Sequence, residues 1–137
     1  MNLKLAMSIA GLALVAAVPV VAHHSVAAEF DSSKRVTIKG TVANVEWMTP
    51  HIWIYVDVKD EAGKVTKWQC EGGPPNTLSR NGWTRNALKV GDEVTISGLL
   101  AKDKANTCNS QNVTLPDGKR VFAGSPEQDV PAPKGKQ

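Results

Sequence analysis

Apolar and polar residues alternate along most of the chain, beginning with the segment Arg35–Trp47. Such alternation predicts a β-strand with one buried face. The apolar phase runs as far as Val42 and restarts at Ala43, close to Gly40. A change of phase beside a glycine within a strand indicates a β-bulge or a bend. We therefore expect a long first strand that bends near its middle and serves two parts of a sheet.

The pattern that follows predicts further strands and one short helix. These elements are a hairpin of His51–Asp60 and Lys64–Gly72 with a turn at 61–63, a helix at Pro75–Asn81 closed by Gly82, a strand within Leu88–Asp103, and a hairpin in Asn112–Gly124 with Asp117-Gly118 at its tip. Five strands, with one short helix between strands three and four, are the order of an all-β barrel of the OB-fold type. An antiparallel β-sandwich is the alternative.

The amino-terminal residues have the three parts of a secretory signal peptide. Lys4 supplies the positive charge, Leu5–Val18 is apolar apart from one serine, and Val20 and Ala22 place slender residues at −3 and −1 of a cut. We predict a signal peptide at residues 1–22 and a periplasmic or secreted protein. A single membrane anchor, or a cut after a later alanine, is the alternative.

Cleavage after Ala22 leaves 115 of the 137 residues, enough for one domain with a modest core. We expect a lead-in at 23–33, a barrel at 34–124 and a disordered tail at 125–137. Lys4 is the one charged residue in the leader. The chain after Ala22 therefore has 15 basic and 13 acidic residues, a net charge of +2. Because the signs are interspersed, we expect neither a nucleic-acid partner nor, after cleavage, a membrane partner.

Two cysteines, Cys70 and Cys108, stand 38 residues apart. An even pair in an exported protein predicts a disulfide, with free thiols or metal ligation as the alternatives. The chain contains no C-x-x-C motif, which gives no support to a redox role.

Five segments also carry a resemblance: "HHSVAAEFD" (23–31), "VTIKGTVANVEW" (36–47), "PHIWIYVDVKD" (50–60), "NGWTRNALKVGDEVTISG" (81–98) and "VTLPDGKRVFAG" (113–124). Together they resemble the small exported bacterial proteins of the domain-of-unknown-function family 6152. The resemblance implies export and a compact β domain, and it implies no activity. Met48, Cys70 and Cys108 depart from the usual pattern of that family, so a disulfide or a site using Met48 is a local variation.

The three histidines and one methionine predict a copper site. Cleavage after Ala22 makes His23 the first residue, and its α-amine and ring Nδ1 can chelate one metal ion. His51 is the expected second arm, and His24 an alternative one, in a three-nitrogen geometry that suits Cu(II). This resembles the histidine brace of copper oxygenases and carriers. The Met48 thioether would suit Cu(I). The alternative is that these residues bind nothing specific.

A second hypothesis places a ligand on an aromatic face made by Trp53, Tyr55 and Trp68. Aromatic faces of OB-folds bind extended ligands, so a small molecule, a glycan or a partner protein of the cell envelope would fit. The alternative is that Ser25–Phe30 or the C-terminal hairpin covers these rings. Because no nucleophile elbow, H-E-x-x-H motif or P-loop is present, we expect binding rather than catalysis.

Overall fold

The computed structural model of the protein describes residues 25–124, which form six strands and two short helices. In chain order they are α1 (Val26–Glu29), β1 (Phe30–Glu46), β2 (Trp53–Lys59), β3 (Val65–Glu71), α2 (Pro75–Arg80), β4 (Glu93–Ala101), β5 (Thr107–Thr114) and β6 (Arg120–Phe122). The predicted signal peptide, its cleavage after Ala22, the pair His23 and His24, and the predicted tail at 125–137 lie outside the described residues. Within residues 25–124, no helix has the length and apolar character needed to cross a bilayer.

The strands close into a ring in the order β1-β2-β3-β5-β4. β3 and β5 pair in parallel and the other neighbours pair antiparallel, which confirms the OB-type barrel. Four predicted strands correspond to β1–β4 of this ring, whereas β5 begins at Thr107, five residues before the predicted hairpin Asn112–Gly124, and β6 lies alongside it. Its turn contains Gly118 with φ +83°, a conformation that glycine adopts at no steric cost.

The predicted bend in β1 is confirmed by a register shift between Val42 and Asn44 in its pairing with β2. Just before the shift, Gly40 approaches β2 so closely that a Cβ atom would collide with the backbone carbonyl oxygen of Asp57. β1 begins at Phe30, within the segment predicted as a lead-in, and Phe30 pairs with Ala101 of β4. The polar residues 31–34 do not alternate, so the sequence pattern did not extend the strand to this point.

The core fills the inside of the ring and includes a side chain from α2. Its largest fully buried aliphatic side chains are Val42, Ile52, Ile54, Val56, Leu78, Ile96 and Val113. Leu78 comes from α2, and the buried Trp83 follows the helix and donates a hydrogen bond from Nε1 to the carbonyl oxygen of Phe122 at 2.9 Å. The predicted helix and its closing Gly82, which has φ +89°, are both confirmed.

The predicted disulfide between Cys70 and Cys108 is also confirmed. The two residues face each other across the parallel β3–β5 pair, with Cα atoms 4.6 Å apart, and both are fully buried. The bond therefore ties together the parallel strand pair that closes the barrel.

Candidate functional site

The outer face of β1, β2 and β3 places two aromatic rings among polar side chains. Directly opposed residues of antiparallel strands project from the same side of a sheet. Trp53 of β2 lies opposite Glu46 of β1 on one side and Glu71 of β3 on the other. Tyr55, the next residue on this side, lies opposite Gln69. Glu46, Trp53, Tyr55, Gln69 and Glu71 are called the outer face below.

Trp68 does not belong to the outer face, which corrects the predicted ligand face. It lies opposite Val56, a fully buried core residue, and its ring packs against the core. The sequence held a signal for this placement. A hairpin centred on residue 62 pairs position 68 with 56 and position 71 with 53. The predicted turn at 61–63 therefore already implied that Trp68 points inward and that Glu71 joins Trp53.

His51 contacts Glu71 at one edge of the outer face. His51 directly precedes β2, Glu71 ends β3, and the contact joins the Nδ1 atom of His51 to the Oε1 atom of Glu71. The carboxylate side chain is 10% exposed and the imidazole 29% exposed, so the acid is enclosed while part of the ring faces solvent. The sequence pattern pointed to His51 but not to Glu71.

Burial raises the pKa of the Glu71 carboxyl above its usual range. Electrostatic attraction to His51 and to Lys104 lowers this pKa, whereas repulsion from Glu29 raises it further. These effects place Glu29, at the end of α1, and Lys104, between β4 and β5, in the electrostatic neighbourhood of the His51–Glu71 pair. Three chain segments far apart in sequence therefore meet at this edge of the outer face.

A pocket of about 180 Å³ lies beside Trp53 and is called the Trp53 pocket below. Its lining includes Ala28, Glu29, Phe30, Trp53, Lys104 and Thr107. Lys102 holds α1 in place with two hydrogen bonds. Its Nζ donates to the carbonyl oxygen of Ala27 at 2.7 Å, and its backbone N–H donates to the carbonyl oxygen of Glu29 at 2.9 Å. The segment predicted as a cover thus lies against the aromatic face, but it leaves a pocket at Trp53.

Tyr55 is held at the other side of Trp53 by Glu46. The Tyr55 hydroxyl donates a hydrogen bond to Oε2 of Glu46 at 3.2 Å. Burial raises the pKa of Tyr55, and the hydrogen bond and negative charge of Glu46 raise it further. The two carboxylates that flank Trp53 therefore have different partners, a tyrosine for Glu46 and a histidine for Glu71.

The described residues supply part of the predicted copper site. They include His51 and Met48, and Met48 is 51% exposed in the loop between β1 and β2. Residues 25–124 contain no group of three or more histidine, cysteine, aspartate or glutamate side chains that could hold a metal ion. The cysteines are joined to each other rather than to a metal.

The sequence matches DUF6152, a family of unknown function, over residues 12–110. The chain belongs to this family. The match confirms the resemblance found in the sequence segments. No curated protein matches the chain.

Several solved structures share the fold at low sequence identity. The mitochondrial single-stranded DNA-binding protein Rim1 of S. cerevisiae is 10% identical, with 63% of this chain and 93% of that chain covered and a TM-score of 0.47. TiaS in complex with a transfer RNA and ATP is 19% identical, with 63% and 19% covered and a TM-score of 0.45. The N-terminal domain of PriB from Thermoanaerobacter tencongensis is 17% identical, with 61% and 96% covered and a TM-score of 0.42.

These structures correct the prediction that excluded nucleic acid as a partner. The exclusion rested on the small net charge with interspersed signs, whereas the similar solved structures include a single-stranded DNA-binding protein and a tRNA complex. Single-strand binding uses aromatic stacking as well as positive charge, so a nearly balanced net charge does not decide the question. The prediction that excluded nucleic acid is therefore wrong.

Proposed function

We propose that this protein is a small exported binding protein that holds copper, with His51 as the ligand from the barrel and the amino-terminal His23 as the chelating ligand. The observation that carries the proposal is the contact between Nδ1 of His51 and the enclosed carboxylate of Glu71. His24 and Met48 are the additional donors that the sequence offers close to these two residues.

The state of the His51 ring supports a role as a metal ligand. Because Nδ1 is engaged by Glu71, Nε2 is the nitrogen left to bind a ligand, and part of the ring is exposed to solvent. Histidines that bind metals commonly donate their other ring N–H to a carboxylate, which fixes the ring and makes it more basic. Imidazole nitrogens suit Cu(II), and a thioether such as that of Met48 suits Cu(I).

Chain length is compatible with a site shared by His51 and the amino terminus. Glu29 lies close enough to Glu71 to affect its pKa, and Glu71 contacts His51. The helix α1 rises about 1.5 Å per residue, so Ser25 lies about 6 Å from Glu29 along the helix axis. His23 lies two positions before Ser25 in the sequence. Two residues span at most about 7 Å when extended.

The test is a competitive Cu(II) titration of protein exported through its own leader, with the amino terminus at His23 verified by intact mass. We expect tight one-to-one binding that is lost when one glycine precedes His23, because the added residue displaces the α-amine from the chelate. We also expect His51→Gln to weaken binding strongly. Equal affinity in the wild type and the glycine-extended protein would rule out the proposed site.

A second candidate function is the binding of a small organic ligand in the Trp53 pocket. The observation that favours it is the combination of an open pocket of about 180 Å³ with Phe30 and Trp53 in its lining. Pockets with aromatic walls and a few polar groups are typical ligand sites. A panel of oligosaccharides and a single-stranded oligonucleotide would be titrated against the wild type and Trp53→Ala, with Trp68→Phe as the control on the inner face. A ligand whose binding is unaffected by Trp53→Ala would contradict this assignment.

A further inference from the structure

We infer that the Trp53 pocket binds a small organic cation, an ammonium ion of about the size of choline, in preference to a neutral molecule of the same shape. This inference deepens the second candidate function and rests on it. It is independent of the copper proposal, because it uses none of the proposed copper ligands. The aromatic wall of the pocket supplies the attraction, and the charges around that wall set the sign of the ligand.

The volume of the pocket limits the size of the bound group. At about 180 Å³ it is slightly larger than an apolar protein cavity of about 150 Å³ that holds one benzene molecule. Sites for drug-sized ligands are larger, from about 300 Å³ upward. The pocket therefore has room for a group of about six to eight non-hydrogen atoms. Choline falls within this range.

Two aromatic side chains, Phe30 and Trp53, stand in the lining of the pocket. The face of an aromatic ring carries a partial negative charge, and among natural side chains indole attracts cations most strongly. Trp53 is partly exposed, whereas Phe30 is buried at 4% exposure. Trp53 is therefore the ring more open to a ligand that arrives from solvent, and Phe30 adds apolar surface behind it.

The charged side chains of the lining are Glu29, Asp103 and Lys104, which leave one net negative charge. Asp103 and Lys104 are exposed neighbours in the loop between β4 and β5. Their effects on a charged ligand should therefore be similar in size and opposite in sign. Lys102, the next cation along the chain, directs its Nζ to the carbonyl oxygen of Ala27 and is not part of the lining.

Strand register adds negative charge around Trp53. The residue lies directly between Glu46 of β1 and Glu71 of β3. Glu46 accepts its hydrogen bond from the neutral hydroxyl of Tyr55, which leaves the carboxylate charge in place. Glu71 contacts His51, so Glu46 contributes more to the local potential. A cation gains from the aromatic face and from these acids together, whereas a neutral ligand gains only from the apolar surface.

The test compares choline with dimethylbutanol, the neutral alcohol of the same shape in which carbon replaces nitrogen. Each is titrated into the protein at low salt, and the dissociation constant is measured from the ¹H–¹⁵N NMR signal of the Trp53 indole, assigned by comparison with Trp53→Phe. We expect choline to bind about 2- to 30-fold more tightly than the alcohol, which is the range of a cation–π contact. High salt should reduce this preference by screening the acids.

Variants that each remove one charge give the test its sign. Asp103→Asn should weaken choline binding by about two- to fivefold, and Lys104→Gln should strengthen it by a similar factor, because exposed charges interact by this much. Both residues are exposed, so both variants should fold. Glu61→Gln is the matched control, since Glu61 is exposed in the turn at the far end of β2 from Trp53 and should leave choline binding unchanged.

The outcomes separate this inference from the proposed functions. Equal affinities for choline and the alcohol overturn the preference for a cation and leave the Trp53 pocket as a ligand site. Choline binding that is unchanged in both Asp103→Asn and Lys104→Gln also overturns the inference. Absence of choline binding overturns it and leaves the copper proposal standing. Choline that shifts the other tryptophan signals but not that of Trp53 overturns the inference and the second candidate function together.

Discussion

Nδ1 of His51 contacts Oε1 of Glu71, so the residue before β2 is joined to the last residue of β3. The pair lies at the edge of the outer face, next to Trp53 and within the electrostatic influence of Glu29 from α1. This relationship leaves the His51 ring with Nδ1 engaged and Nε2 available. The copper proposal starts from it.

The disulfide makes a direct prediction for stability. Removing it with C70A/C108A should lower the free energy of unfolding by about 2–4 kcal/mol, because the bond closes a long loop and constrains the unfolded chain. Urea denaturation followed by tryptophan fluorescence measures the change. The wild type treated with a reductant is the control and should lose a similar amount. An unchanged midpoint in both would show that the bond contributes nothing to stability.

Gly40 should tolerate no side chain, because a Cβ atom would meet the carbonyl oxygen of Asp57 on the neighbouring strand. Gly40→Ala is expected to lower the free energy of unfolding by about 1–3 kcal/mol, the usual cost of overpacking. The adjacent exposed residue serves as the control, since Lys39→Ala should change stability by no more than about 0.5 kcal/mol. Thermal unfolding of both variants checks the prediction, and equal melting temperatures would contradict the close approach.

Trp53 and Trp68 should differ in their effect on stability, because they lie on opposite sides of the barrel wall. Trp68→Ala leaves a cavity against the core and should lower the free energy of unfolding by about 3 kcal/mol. This is near the low end for a buried tryptophan, because the ring is partly exposed. Trp53→Ala should cost less than half as much. Chemical denaturation of both variants measures the difference, and the reverse order would place Trp68 on the outer face after all.

Tyr55 is the single tyrosine of the chain, so its ionisation can be followed directly by absorbance at alkaline pH. We expect a pKa above the ordinary value of 10.0, chiefly because of burial, and a smaller rise in Glu46→Gln. Since folding raises this pKa, its contribution to stability is fully present below pH 10.0 and is lost as the pH rises through the folded-state value. A pKa that is the same in the native and the urea-unfolded protein would contradict this environment.

The sequence by itself determined the elements of this fold. Alternation of apolar residues predicted the strands, the change of phase after Val42 predicted the bulge in β1, and the turn residues predicted both the helix end at Gly82 and the hairpin at Gly118. These features follow from the local periodicity of the backbone and from the conformations open to glycine, so they need no knowledge of distant contacts. The pairing of Cys70 with Cys108 followed because the chain has two cysteines.

Only the tertiary structure decided which residues meet at the site. Glu71 adjoins His51 because β2 and β3 pair in one register, and α1, which carries Glu29, is held by hydrogen bonds from Lys102. The inward placement of Trp68 is likewise a matter of register, since a shift of one residue reverses every side chain of a strand. The turn at 61–63 already implied the register of β2 and β3, whereas the approach of α1 to this edge depends on how separate segments pack against each other.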